Sequence, residues 1–203
     1  KNLLPAPGRR FFQFRPMLLD TLDVTDVHHG ATAPPRAPPA AAGWHARLAL
    51  AYRAAEGRCA VDFRHEGPLR VLQTLYPEGP AIAHNVLVHP PSGIVGGDLL
   101  DIDIRVGPAA HGLVTTPGAT RFYRSAGEPA VQRSAISLAA GARFEWLPLE
   151  AICYSGCIAE NRLTLDLADG AEMIGWDVTA LGLPASQLAF RRGSLLQHLE
   201  LRG

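Results

Sequence analysis

The sequence predicts a mainly β protein, a layered antiparallel or mixed β-sheet scaffold with few short helices, and three observations point there. Over residues 100–106 the apolar Leu100, Ile102, Ile104 and Val106 alternate with Asp101, Asp103 and Arg105, the period-two signature of a strand with one face buried. Around it, residues 89–125 read HPPSGIVGGDLLDIDIRVGPAAHGLVTTPGATRFYRS, dense in turn residues and nearly empty of catalytic ones. Pro90, Pro91 and Pro117 lock φ there, while Gly93, Gly96, Gly97 and Gly118 mark places where positive φ or close backbone approach is tolerated. Helix signals are thin: the best short candidate, residues 180–186, is interrupted by Gly182 and Pro184.

Taken in order, residues 1–43 read as a leader outside the core. Its ATAPPRAPPAAAG stretch has the composition of an extended linker, and the adjacent His28 and His29, with no third ligand nearby, read as solvated tail. The β domain is expected over 44–203. Trp44, Ala46, Leu48, Leu50 and Tyr52 alternate with more polar or smaller neighbours, and Cys59, Val61 and Phe63 continue the period after a turn at Glu56 and Gly57, which predicts a hairpin. Leu163, Leu165 and Leu167 form a further strand; Ile174, Trp176 and Val178 form the next; residues 194–201 form another. A weak repeat joins VGPAAHGLV, LAAGARFEW and LADGAEMIG, whose glycines at 107, 141 and 170 lie 34 and 29 residues apart. It is expected to mark hairpin units, being too degenerate to announce a solenoid. The start at Lys1 and the stop at Gly203, just after a strand pattern, suggest a chain truncated at its C-terminus.

Composition narrows the function classes. With 203 residues, 47% of them hydrophobic, the chain is long enough to bury a core. Nineteen basic residues balance 19 acidic ones, which gives no electrostatic reason to expect nucleic acid or an anionic membrane as partner. No apolar run reaches the roughly 18 residues of a membrane span, and no signal peptide is evident at the N-terminus. Three cysteines fit a reducing compartment better than a disulfide framework, so the expected location is cytoplasmic.

Enzyme motifs are missing. GIVGGD lacks the lysine and hydroxyl of a phosphate-binding loop, no G-x-S-x-G elbow occurs, and His65-Glu66 is followed by Gly-Pro-Leu rather than the rest of H-E-x-x-H. Cys153 and Cys157 form one C-x3-C without a second pair, so they read as buried structural cysteines before they read as zinc ligands. His65, His84, His89 and His111, placed at strand ends or turns, read as hydrogen-bonded structural residues. No H-x-H pair supports a cupin-type metal enzyme. The acids are more suggestive: Asp98 follows a diglycine and Asp177 sits between Trp176 and Val178. A carboxylate in such surroundings must be hydrogen-bonded, paired or metal-bound to offset desolvation; otherwise Asp98 caps a turn and Asp177 points to water.

Six blocks carry a resemblance: HEGPLRV (65–71), YPEG (76–79), HPPSGIVGGD (89–98), TTPGATRFYRS (115–125), EWLPLEAICYSG (145–156) and GWDVTALGLPAS (175–186). In this order, across 44–203, they closely resemble the urease accessory protein family UreD, also called UreH. The resemblance implies a mainly β, non-enzymatic scaffold for urease maturation. It would bind the urease apoprotein and UreF, which recruits the GTPase UreG, in a two-fold heteromeric complex. No cofactor would be tightly bound; nickel would be in transit along an internal polar tunnel. Matching the GGD, GWD and PGAT positions assigns weak nickel-transit roles to Asp98, Asp177 and Thr120. The alternative is a pure protein–protein adaptor without nickel contact.

Overall fold

The structure, a computed structural model, describes residues 43–203; residues 1–42, with His28, His29 and all but the last residue of the expected linker, lie outside them. In chain order the strands are β1 (His45–Ala55), β2 (Arg58–Glu66), β3 (Arg70–Leu75), β4 (Ile82–Val88), β5 (Leu99–Val106), β6 (His111–Thr115), β7 (Thr120–Phe122) and β8 (Ala130–Leu138). They continue as β9 (Arg143–Leu147), β10 (Ala151–Cys153), β11 (Ile158–Leu167), β12 (Glu172–Gly175), β13 (Thr179–Leu183), β14 (Leu188–Ala189) and β15 (Ser194–Arg202). The mainly β reading holds, and the 45–55 and 58–66 hairpin is present with its turn at Glu56 and Gly57, both at positive φ.

These strands form three sheets, ordered β15-β11-β8-β5-β1-β2, β12-β9-β6-β4-β3 and β14-β13-β10-β7. From β4 onward the chain visits them in rotation. It passes from β4 through Ile94, which bridges to Phe122 of the third sheet, to β5. Then β6, β7 and β8 make one circuit, β9, β10 and β11 the next, and β12, β13 and β15 the last. Each strand lies parallel to its counterpart one circuit away. The result is a three-sided parallel coil. Antiparallel pairing among the described residues is confined to β1/β2, β3/β4 and β13/β14.

This corrects the reading of the glycine repeat. The three segments are not hairpins: they are the corners where the chain leaves the first sheet for the second. Each is a four-residue turn closed by an amide, Ala110 to Gly107 O (3.1 Å), Ala142 to Ala139 O (3.0 Å) and Ala171 to Ala168 O (3.0 Å). Adjacent corners are tied together, Ala139 N–H donating to Val106 O and Ala168 N–H to Leu138 O. The turns start at residues 107, 139 and 168, so the circuits are 32 and 29 residues long. Aligning the glycines misplaces the first turn by two residues, because its third position, the one with φ of 55°, is Ala109, whereas Gly141 and Gly170 hold that position in the others.

Other expectations need adjustment. Residues 179–183 are strand, with only a single 3-10 turn, Pro184–Ser186, after them, because Thr179, Ala180 and Leu181 pair with β10. The strand expected through Val178 stops at Gly175, and the next three residues cross to the third sheet. His84 lies inside β4 and not at a strand end. Gly118 has neither positive φ nor a crowding neighbour.

The core fills the coil. Leu48, Leu50 and Tyr52 of β1, Leu100, Ile102, Ile104 and Val106 of β5, Ile136 and Leu138 of β8, Phe144 and Trp146 of β9, and Phe122 of β7 are all buried. Tyr52 meets Phe144 edge-on, with ring centroids 5.7 Å apart, and its hydroxyl donates to Asn85 at 2.8 Å. Burial pushes the Tyr52 phenol up, so it stays a donor.

Candidate functional site: a polar run inside the coil

Alternation fixes which residues of the first sheet face the interior, and the parallel register stacks them into rows. One row, across β1, β5, β8 and β11, reads Leu50, Ile104, Ile136, Leu165. Another, across β5, β8, β11 and β15, reads Leu100, Gln132, Asn161, Gln197. Three amides on successive circuits, about 4.8 Å apart by strand spacing, thus replace aliphatic side chains. On the third sheet the facing row is Thr120, Ala151, Thr179.

At the last circuit these rows meet Asp177. Asn161, 5% exposed, donates from Nδ2 to Asp177 Oδ2 at 2.7 Å. The Thr179 hydroxyl donates to Gln197 Oε1 at 3.0 Å, and Gln197 in turn hydrogen-bonds Asp177. Burial pushes the Asp177 carboxyl up, and the bonds from Gln197 and Asn161 oppose it. Asp177, half-buried, therefore turns to amide partners on the inside of the coil.

At the other end, Thr120 lines a cavity of about 220 Å³ together with His89, Thr116, Gln132 and Leu100. His89, half-buried, is shifted down by burial, with the nearby Asp98 opposing. Asp98 is 7% exposed and acts as a clasp: Oδ1 accepts from Trp44 N–H at 2.9 Å and Oδ2 from Val95 N–H at 3.0 Å. The turn-capping alternative describes what this carboxylate does structurally; two of its roughly four lone-pair positions remain free. So Thr120 and Asp177 are linked through Gln132 and Asn161 along one row of the interior, whereas Asp98 lies near His89 but does not line the cavity.

The remaining candidates sort by environment. His84 pairs with Glu78 at 2.8 Å and His111 with Glu145 at 2.9 Å, both in structural roles, while exposed His65 stacks on Phe63. Cys153 and Cys157 are both fully buried free thiols. Among the described residues no group of three or more His, Cys, Asp or Glu is placed to hold a metal ion, and no helix is long and apolar enough to cross a membrane. Gln132, Asn161, Thr179 and Gln197 escaped the sequence reading. The signal was present in VQRSAISL and AENRLTL, where Gln132 and Asn161 occupy the apolar phase of the alternation.

Comparison with known proteins gives one consistent result. The family model described as UreD urease accessory protein matches residues 44–203. A urease accessory protein UreD from Variovorax paradoxus (strain S110) is 68% identical over 160 residues, covering 79% of this chain and 58% of that relative. Those of Polaromonas sp. (strain JS666) and Paracidovorax citrulli (strain AAC00-1) are 66% and 67% identical over the same shares. The matched segment thus spans under two thirds of these curated relatives.

Proposed function

Since the chain belongs to the UreD urease accessory protein family, we propose that it serves urease maturation as a non-enzymatic scaffold, binding the urease apoprotein and a UreF–UreG complex and passing nickel toward the urease active site. GTP hydrolysis belongs to UreG in this reading, and the assembly is cytoplasmic and two-fold. Nickel is cargo, not a resident cofactor.

The observation that carries the nickel part is the amide row. A coil built for stability alone would continue Leu100 with more aliphatics, since burying an amide without full compensation costs about 1–3 kcal/mol. Gln132, Asn161 and Gln197, flanked by Thr120 and Asp177, instead offer oxygen donors on successive circuits. A borderline divalent ion accepts carboxylate, carbonyl and hydroxyl oxygens. Passage requires binding that is weak and repeated, so that the ion can enter each position and leave it. Spread donors meet that requirement better than a closed cage. Asp98, with lone pairs left over, adds negative charge near the His89 end.

The test is urease activity and nickel content of purified urease from cells lacking their own UreD and supplied with the full-length version of this protein. Restoration of both is expected. Asp177→Ala and Thr120→Val should then lower nickel content and activity several-fold while UreF and urease still copurify. Full activation by both variants would favour the adaptor that never touches nickel, and no restoration by soluble wild type with cognate partners would sink the maturation role.

A further inference from the structure

We propose that the corner at which the chain leaves the third sheet for the first is a docking surface for a protein partner that presents a run of carboxylates. Three segments, 123–128, 154–156 and 190–193, stack there on successive circuits. Ser125 N–H donates to Gly156 O at 2.9 Å, and Gly156 N–H to Arg192 O at 2.6 Å. Ser155 Oγ fixes the last segment further, accepting from Arg191 N–H at 3.0 Å and from Arg192 N–H at 3.3 Å. The Arg124 side chain lies against Gly156, where an added Cβ would come 3.0 Å from its Cγ. Arg124, Arg191 and Arg192, all exposed, are thus gathered at one edge. Beside them Tyr123 and Tyr154, both half-buried, form an aromatic shelf with ring centroids 5.2 Å apart. Gly93 makes room for it, because a Cβ there would lie 2.0 Å from the Tyr123 ring.

Charge selects the partner. Besides the three arginines, the three segments carry a single acid, Glu128. Arg47, Arg53, Arg105, Arg143, Arg162 and Arg202 each pair with a carboxylate, whereas Arg124, Arg191 and Arg192 pair with none among the described residues. Like charges held together on a fixed backbone repel one another; a surface of opposite sign relieves that repulsion and is steered toward it. Tyrosine and arginine are also the side chains that most often anchor protein interfaces. The shelf offers flat contact area at low entropic cost, and each guanidinium can hold a carboxylate by two bonds. A long polyanion fits less well. Over residues 43–203 acids outnumber basic residues, so a nucleic acid running beyond this corner would meet net repulsion. The proposal rests on the scaffold reading and deepens it, giving the scaffold one binding face and its partner a sign of charge.

The test titrates the purified full chain with the cognate urease apoprotein and, separately, with the cognate UreF–UreG complex, each at low and at high salt. One of the two should bind with an affinity that falls with salt. Arg124→Glu, Arg191→Glu and Arg192→Glu combined should raise its Kd at low salt by about tenfold or more and flatten the salt dependence. The same three changed to Gln should lose a smaller share, and Tyr154→Ala should weaken binding with the salt dependence kept. Arg105→Glu, on the outer face of the first sheet, should change neither, and unchanged denaturant midpoints would show that the corner variants are folded. Equal binding by wild type and the folded triple-Glu variant would overturn the docking surface while leaving the scaffold reading intact. Failure of wild type to bind either protein would remove both. Tighter, variant-sensitive binding of a single-stranded oligonucleotide than of either protein would overturn it in favour of a nucleic-acid site.

Discussion

Two interior rows of the same sheet, four residues apart along the strands, have opposite chemistry. Leu50, Ile104 and Ile136 are each 1% exposed in a purely aliphatic row beside Tyr52 and Phe144. Gln132, Asn161 and Gln197 occupy the other row, and the last two of them meet Asp177. Backbone, alternation and register are shared, so the coil does not demand the difference. The aliphatic end does what a core does, at about 25 cal/mol per Å² of apolar surface buried. The amide end spends burial on polar groups, and such local departures from the general pattern are where function is expected.

The sharpest way to break the contrast is to damage the aliphatic end. Phe144 is buried against Tyr52, and Phe144→Ala should destabilise the protein by about 3–5 kcal/mol, from lost transfer energy and the cavity left, read as a shift of the denaturant midpoint in the full chain. The same variant should leave nickel delivery per folded molecule unchanged. A loss below about 1 kcal/mol would mean that the aliphatic end is not the mechanical core.

At the amide end the expected effect is smaller and depends on pH. Burial raises the folded-state pKa of Asp177 above the ordinary 3.8, so the folded protein holds this proton more tightly than the unfolded chain. Its contribution is fully present below pH 3.8 and is lost as pH rises through the folded value. Asp177→Asn keeps the shape and an oxygen acceptor for Asn161 but cannot ionise. Denaturation curves for the two proteins should therefore separate across that window, the variant becoming the more stable, and run parallel above it. Parallel curves throughout would show that Asp177 is solvated and outside the run.

Much of this molecule could be read from the sequence, and the failures share one cause. Strands whose outer face is charged, such as β5 with Asp101, Asp103 and Arg105, announce themselves by alternation. The partner of a strand does not: parallel pairing between residues some 30 positions apart leaves no local mark, so the sequence of a coil carries the same local pattern as a set of hairpins. The site followed the same pattern. Asp98, Thr120 and Asp177 stood out by type or by family block, and their surroundings could be assigned only once the circuits were stacked. Gln132, Asn161 and Gln197 become a row through registers that no single segment contains.

The corners offer the finest test, because they are common to both ends and independent of what fills the interior. Ala109, Gly141 and Gly170 hold the same turn position at φ 55°, 70° and 76°. At Gly141 an added Cβ would meet nothing within 4 Å, so Gly141→Ala leaves two backbone effects, the left-handed cost of about 1–2 kcal/mol and an opposing entropy gain of about 0.5–1 kcal/mol in the unfolded chain, for a net loss of about 1 kcal/mol. Ala109→Gly is the mirror experiment: it removes that cost and adds the larger entropy of an unfolded glycine, roughly 0.5–1 kcal/mol, leaving a change near zero or slightly stabilising. Measured by thermal unfolding, the pair should differ in size, with only Gly141→Ala clearly lowering Tm. Equal losses from both would mean that the corners are not equivalent and that the 107 turn belongs to a different register from the other two.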